Sequence, residues 1–199
     1  MKRDNKCYSS GEMKFMLWGQ EIRAYILAPL LNFMKEHGVK PNHITILSLV
    51  TGIAAALSIN YDYGLTLFML LLHVLLDGID GPLARYSKTD SNKGSFADTA
   101  CDQIVIVAIG LGLIDANLVT PLSGAVYILL YTVVIGFSMV RSAMGIPYKW
   151  LIRPRFLLYI WLYFEFYVID GFTTYILWVF SLILLLNVMT GYFKIRRAL

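Results

Sequence analysis

Gly64 to Arg85 reads GLTLFMLLLHVLLDGIDGPLAR, and Gly94 to Ile114 reads GSFADTACDQIVIVAIGLGLI. A helix rises ~1.5 Å per residue, so about 20 apolar residues cross the hydrocarbon of a bilayer, and each run is long enough. Yet each holds two aspartates: Asp77 and Asp80 in the first, Asp98 and Asp102 in the second. One carboxylate inside a bilayer helix costs roughly 2.5 to 3.5 kcal/mol even on a lenient insertion scale. Four unpaired would cost on the order of 10 kcal/mol, comparable with the whole stability of an ordinary domain. The two runs therefore predict membrane helices, and the acids within them predict a compensating partner.

The rest of the chain agrees with the membrane reading. Of 199 residues, 58% are hydrophobic and 15% charged, against about 25% charged in a typical soluble domain. Six apolar segments can be marked: His43 to Asn60, Gly64 to Arg85, Gly94 to Ile114, Thr120 to Met144, Phe156 to Ile169 and Thr173 to Phe193. The fifth is short and starts after Arg153-Pro154-Arg155. The polar opening MKRDNKCYSSGEMK has no apolar core and no small-residue cleavage site, so no signal peptide is expected. Cys7 and Cys101 suggest reduced thiols rather than a disulfide framework.

The basic residues give a topology. Of the 17 Lys and Arg, seven precede the first segment, three lie from Arg85 to Lys93, four from Arg141 to Arg155, and three in the C-terminal KIRRAL. The alternate loops hold no Lys or Arg and carry Asp62, Asp115 and Asp170 instead. By the positive-inside rule, six spans then place both termini and the acidic segment on the cytoplasmic side. A soluble bundle gives no reason for basic residues to avoid every second loop.

Glu12 to His37 differs from the six spans. Tyr25, Ile26, Pro29, Leu30, Phe33 and Met34 recur at helical spacing, against a small or polar stripe of Glu21, Ala24, Ala28, Asn32 and Lys35. With Trp18, Lys14 and Arg23 nearby, this predicts a helix lying in the headgroup layer, bent or broken at Pro29. The expected fold is thus all-α and integral to the membrane. It is a six-transmembrane-helix bundle (43–193) preceded by an amphipathic interfacial helix (12–37), in one domain over 1–199.

The acids have a helical logic. Asp77 and Asp80 are i, i+3, and Asp98 and Asp102 are i, i+4, so each pair shares a helix face. The short polar link Tyr86 to Lys93, YSKTDSNK, predicts that the two helices are antiparallel neighbours with facing acids. Four converging carboxylates cannot all ionise without a cation between them. Oxygen-only ligands favour Mg²⁺ or Mn²⁺, with substrate phosphate oxygens completing the coordination. Gly78, Gly81 and Ala84 leave room for a ligand against the helix backbone, or serve close helix packing. Pro82 has no N–H to bond the Gly78 carbonyl, which frees that carbonyl. Arg85, the only basic residue of that span, cannot neutralise four acids in a purely structural network. His73, four residues before Asp77, is placed to hydrogen-bond it, while His37 and His43 look incidental as metal ligands.

Asp77 to Asp102, DGIDGPLARYSKTDSNKGSFADTACD, fits D-x-x-D-G-x-x-A-R-x8-G-x3-D-x3-D at every fixed position. It resembles the CDP-alcohol phosphotransferase (phosphatidyltransferase) family. Upstream, Pro41-Asn42-His43-Ile44-Thr45 resembles the P-N-x-x-T segment of the same family. The resemblance implies a phospholipid-synthesis enzyme that moves a phosphatidyl group from CDP-diacylglycerol, or a related CDP-alcohol, to an acceptor alcohol and releases CMP. It implies that Asp77, Asp80, Asp98 and Asp102 hold two divalent metals, with Asp77 and Asp98 bridging both and Asp102 also acting as general base. Asn42, His43, Ile44, Thr45, Gly81, Arg85 and Ser91 would contact the cytidine and its phosphates.

The acceptor stays open. Asp98-Thr99-Ala100-Cys101-Asp102-Gln103 lacks the Lys that follows the last Asp in phosphatidylglycerophosphate synthases, and the motif lacks their Leu-Asp-Pro start. Patterns associated with serine or inositol-phosphate acceptors are absent too. Arg141, Lys149, Arg153 and Arg155 are candidates for an anionic acceptor, or they serve topology and headgroup contact. The competing functions are a cation transporter and a prenyl-diphosphate transferase. The first would continue its acids across the membrane, where only Glu165 lies further along, and the second usually carries two separated acidic motifs. Membrane lipids are expected partners and nucleic acid is not. A homodimer is implied by the resemblance alone, and the absence of transit or retention signals points to a prokaryotic plasma membrane.

Overall fold

Helix boundaries follow the apolar runs closely. The computed structural model describes residues 26–146, 148 and 154–198. In it, α1 covers 26–36, α2 Pro41–Ser58, α3 Tyr63–Tyr86, α4 Asn92–Asp115, α5 Pro121–Ala143, α6 Arg155–Tyr167 and α7 Thr173–Ala198. The described residues contain no strand. Starts are set by local chemistry. The side chains of Asp62, Ser91 and Thr120 accept from the backbone N–H groups of Leu65 (2.8 Å), Gly94 (3.1 Å) and Ser123 (3.3 Å), which helix geometry leaves without partners. Pro41 and Pro121 occupy the first turns of α2 and α5, where a missing N–H loses nothing.

Among the described residues, five helices, α2, α3, α4, α5 and α7, are long and apolar enough to cross a membrane. The α6 helix, at 13 residues, falls short of that length. Burial is inverted relative to a soluble protein. On α3, Leu65, Phe68, Leu71 and Leu75 lie 45–58% exposed along one face, while Thr66, His73 and Asp80 are at most 5% exposed. Apolar side chains outward and polar ones inward is the arrangement a hydrocarbon solvent demands.

The two acid-bearing helices are not packed on each other as their short link suggested. The α2 helix packs against both α3 and α4, and those two have little backbone contact between them. Small residues make α2 the shared partner. Gly52 faces Val105 of α4, and the Ala56 carbonyl faces Gly112 of α4 so closely that an added Cβ would sit 2.7 Å from the oxygen. Across to α3, α2 offers hydroxyls: Ser48 Oγ lies 2.8 Å from His73 Nδ1, and Ser58 Oγ lies 3.0 Å from Thr66 Oγ1. With α2 holding both helices, space remains between their acidic ends. The other half of the bundle is α5 packed on α7, with α6 bridging α3 and α7.

The N-terminal half of the expected interfacial helix lies outside the described residues. The rest, α1, runs unbroken through Pro29. A proline forfeits only the bond to the residue four positions earlier, here residue 25, so α1 loses no bond within its described span. Leu31 is fully buried in a small core with Ile44, Leu76 and Leu83, while Ile26 and Phe33 are well exposed on the other side.

Beyond α6 the chain turns on Glu165. This buried carboxylate accepts from the backbone N–H groups of Gly171 (2.7 Å), Phe172 (3.2 Å) and Thr173 (3.0 Å), closing the turn onto the start of α7. Two loop aspartates at this end are also engaged. Asp62 caps α3, and Asp115 accepts from the Asn60 side-chain amide.

Candidate active site

Helix periodicity puts Asp77 and Asp80 on one face of α3, and Asp98 and Asp102 on one face of α4. The side chain of Asp77 meets that of Asp102, and Asp80 meets Asp98. This crossed order shows that the helices run antiparallel, as the link predicted. One oxygen each of Asp77, Asp98 and Asp102 fall within 4.8 Å of one another. All four aspartates line one cavity of about 460 Å³, together with Gly78, Gly81, Pro82 and Arg85 of α3, and Arg155 and Phe156 of α6.

The partner that the acids require comes from a third helix. Arg155, at the start of α6, places Nη2 3.0 Å from Asp77 Oδ2 and Nη1 against Asp102 Oδ2. Its guanidinium also lies over the Phe156 ring, 4.6 Å from the centroid. Among the described residues, Arg155 Nε is buried with no hydrogen-bond partner, a donor left without an acceptor beside the cavity. Asp80 has a different partner: Thr45 Oγ1, on α2, donates to Asp80 Oδ2 at 2.7 Å. Arg155 pairs with only two of the four carboxylates, and even with Arg85 also on the cavity wall the acids outnumber the guanidinium groups. The donor set is oxygen only, so the residues fit hard divalent cations such as Mg²⁺ or Mn²⁺.

Gly78 and Gly81 of α3 do not serve helix packing. A Cβ at Gly78 would meet nothing within 4 Å, and one at Gly81 would meet only the Arg85 guanidinium, at 3.5 Å. Gly78 is open to the cavity, and the Arg85 head lies over Gly81.

The other residues singled out in the sequence divide. Gly81 and Arg85 line the cavity. Asn42 and His43 are exposed in the first turn of α2, where His43 Nδ1 lies 3.4 Å from the Lys40 backbone N–H. Ile44 turns away into the small core under α1, and Ser91 uses its hydroxyl to cap α4. Arg141 is 2% exposed; its Nε donates to the Ile146 carbonyl at 2.9 Å and its head lies 3.7 Å from the centre of the Tyr148 ring. Lys149 and Arg153 lie outside the described residues. His73 hydrogen-bonds Ser48 rather than Asp77, because α2 presents a hydroxyl at its depth.

Sequence reasoning missed two pairings, Arg155 with Asp77 and Asp102, and Thr45 with Asp80. The signal for Arg155 was present: it sits at the same membrane face as the acids, directly before an apolar run. Thr45 gave no such signal, since helix–helix register is not written in spacing along one helix.

These features define a helical membrane protein with an acidic, oxygen-donor site at one end of its bundle. The chain belongs to the CDP-alcohol phosphatidyltransferase family, whose pattern matches residues 39–191. That family is a metal-dependent family of transferases of phosphate-containing groups. The chain is also similar to an uncharacterized protein of Aquifex aeolicus (strain VF5), at 35% identity over 79 residues. That match covers 39% of this chain and 40% of the relative's length.

Proposed function

We propose that this chain transfers a phosphatidyl group from CDP-diacylglycerol to an acceptor alcohol and releases CMP. The observation that carries the reading is the convergence of Asp77, Asp98 and Asp102 from two helices within 4.8 Å, in a cavity shared with Gly81 and Arg85. Asp77, Asp80, Asp98 and Asp102 would hold two Mg²⁺ or Mn²⁺ ions. When bound, the metals supply positive charge to the phosphate oxygens and acidify the acceptor hydroxyl.

The chain's own groups do the rest by positioning. Asp102 accepts the proton of the acceptor hydroxyl. The freed oxygen bonds to the phosphorus that carries the lipid alcohol. The bond from that phosphorus to the CMP oxygen breaks, and its electron pair leaves with CMP. Arg85, lying over Gly81, is placed to hold a departing phosphate, and the open backbone at Gly78 gives the diphosphate room. Asn42, His43 and Ser91 remain proposed nucleotide contacts at the rim. Arg155 is the proposed contact for the acceptor's anionic group, since its Nε has no partner among the described residues; Arg153 is proposed with it. Arg141 is proposed as a contact that also holds the end of α5.

We place the site on the cytoplasmic side, with six crossings in which α6 is the short one inside the bundle, all in a single domain. The α1 helix would lie in the headgroup layer, where exposed Ile26 and Phe33 meet lipid. Ion transport finds no support in the acids further along. Glu165 is spent on three backbone N–H groups of the turn into α7.

The test is CMP release by the purified chain with Mg²⁺ or Mn²⁺, CDP-diacylglycerol and a panel of acceptor alcohols. One acceptor should support turnover and Asp102→Asn should stop it. Full turnover in that variant removes Asp102 from the base role, and divalent-cation flux in proteoliposomes without CMP release overturns the reading.

A further inference from the structure

The Thr45–Asp80 contact joins α2 to the acidic face of α3 and is not explained by packing. Asp80 is 5% exposed. Its Oδ2 accepts from Thr45 Oγ1 at 2.7 Å. A threonine inside a helix ordinarily gives its proton to the carbonyl four residues back. That carbonyl, on Pro41, is also within reach but lies further away, at 3.3 Å. A bond to a carboxylate is shorter and stronger than one to a neutral carbonyl, so the hydroxyl proton belongs to Asp80.

The type of partner matters. Asp77 and Asp102 share a guanidinium, a full positive charge that must be outcompeted by any cation binding there. Asp80 is held by a neutral donor, which fixes the carboxylate without cancelling its charge. One oxygen is occupied by Thr45, and the side chain still reaches Asp98 across the gap. Further along α2, Ser48 meets His73, Thr51 donates to the carbonyls of Leu47 and Ser48, and Ser58 meets Thr66. Thr45 alone among these four ends on an acid of the site.

We propose that Thr45 is a positioning residue for Asp80: its hydroxyl orients the carboxylate toward Asp98, so that the pair is set for a divalent cation before any nucleotide arrives. This rests on the metal-binding reading above and changes the role that the sequence resemblance gave Thr45, from nucleotide contact to support of a metal ligand. Partners that orient a ligand in this way typically contribute about 10- to 100-fold in metal affinity.

The experiment is calorimetric titration of Mn²⁺ into the purified, nucleotide-free chain in detergent, for wild type, Thr45→Val and Thr45→Ser. Valine keeps the shape and removes the donor, and serine restores the donor. The valine variant should bind Mn²⁺ about tenfold or more weakly, and serine should recover most of that loss. In the turnover assay the valine variant should need more Mn²⁺ for half-maximal rate, with the KM for the CDP-linked donor unchanged at saturating metal. Should the valine variant fail to purify as a folded protein, Thr45→Ala gives the same comparison. Wild-type Mn²⁺ binding matched by the donor-less variant overturns this inference and leaves the enzyme reading standing, all the more so if CMP binding falls instead. No Mn²⁺ uptake by wild type overturns the metal reading and this inference with it.

Discussion

Arg155 Nη2 lies 3.0 Å from Asp77 Oδ2, a pairing between residues 78 positions apart in the chain. The same guanidinium contacts Asp102, so one cation from α6 ties the acidic faces of α3 and α4 together. The side chains keep only 8% exposure on Arg155 and 13% on each aspartate, so water screens them little.

Removing one partner of a buried ion pair leaves an uncompensated charge and typically costs about 3–5 kcal/mol. Arg155→Gln should therefore lower the thermal midpoint of the metal-free protein in detergent. Saturating Mn²⁺ should recover a larger part of the stability in the variant than it adds to wild type, because the acids then have only the metal as counter-charge. Equal midpoints for the two metal-free proteins would show that the pair contributes nothing.

Two glycines separate packing from ligand space. A Cβ on Gly112 would meet the Ala56 carbonyl oxygen at 2.7 Å and Ile59 Cδ1 at 2.9 Å. Gly112→Ala should destabilise by about 1–3 kcal/mol, the usual range for overpacking. Gly78→Ala meets nothing within 4 Å and should stay within about 0.5 kcal/mol of wild type. Gly78→Leu should also fold, yet bind CDP-diacylglycerol poorly because it fills the cavity. Thermal unfolding and the donor KM, measured on the three variants, check both halves.

Glu165→Ala strands three backbone N–H groups at the entry to α7. The expected loss is about 1–3 kcal/mol for the unsatisfied groups, read as a lower unfolding temperature. Turnover measured well below that temperature should be near normal, since Glu165 lies away from the acidic cavity. A loss of turnover in a fully folded variant would place Glu165 in the reaction path after all.

Chelation should act on the four aspartates together. EDTA-treated protein is expected to release no CMP, with activity returning on addition of Mg²⁺ or Mn²⁺. Turnover that persists after exhaustive chelation counts against metal-supported transfer.

By itself the sequence determined which apolar segments become helices and which side chains share a helix face. Both follow from local quantities: the length of an apolar run, and the 3.6-residue period that aligns Asp77 with Asp80 and Asp98 with Asp102. The short link Tyr86 to Lys93 likewise forced the acids to one end of the bundle. Only the tertiary structure decided that α2 stands against both acid-bearing helices, that Thr45 reaches Asp80, and that Arg155 supplies the internal counter-charge. It also turned Ile44 into core and Glu165 into a cap. Such pairings join residues far apart in the chain. They depend on which helices can approach most closely, and small residues such as Gly52 and Gly112 settle that through contacts visible only once the helices are assembled.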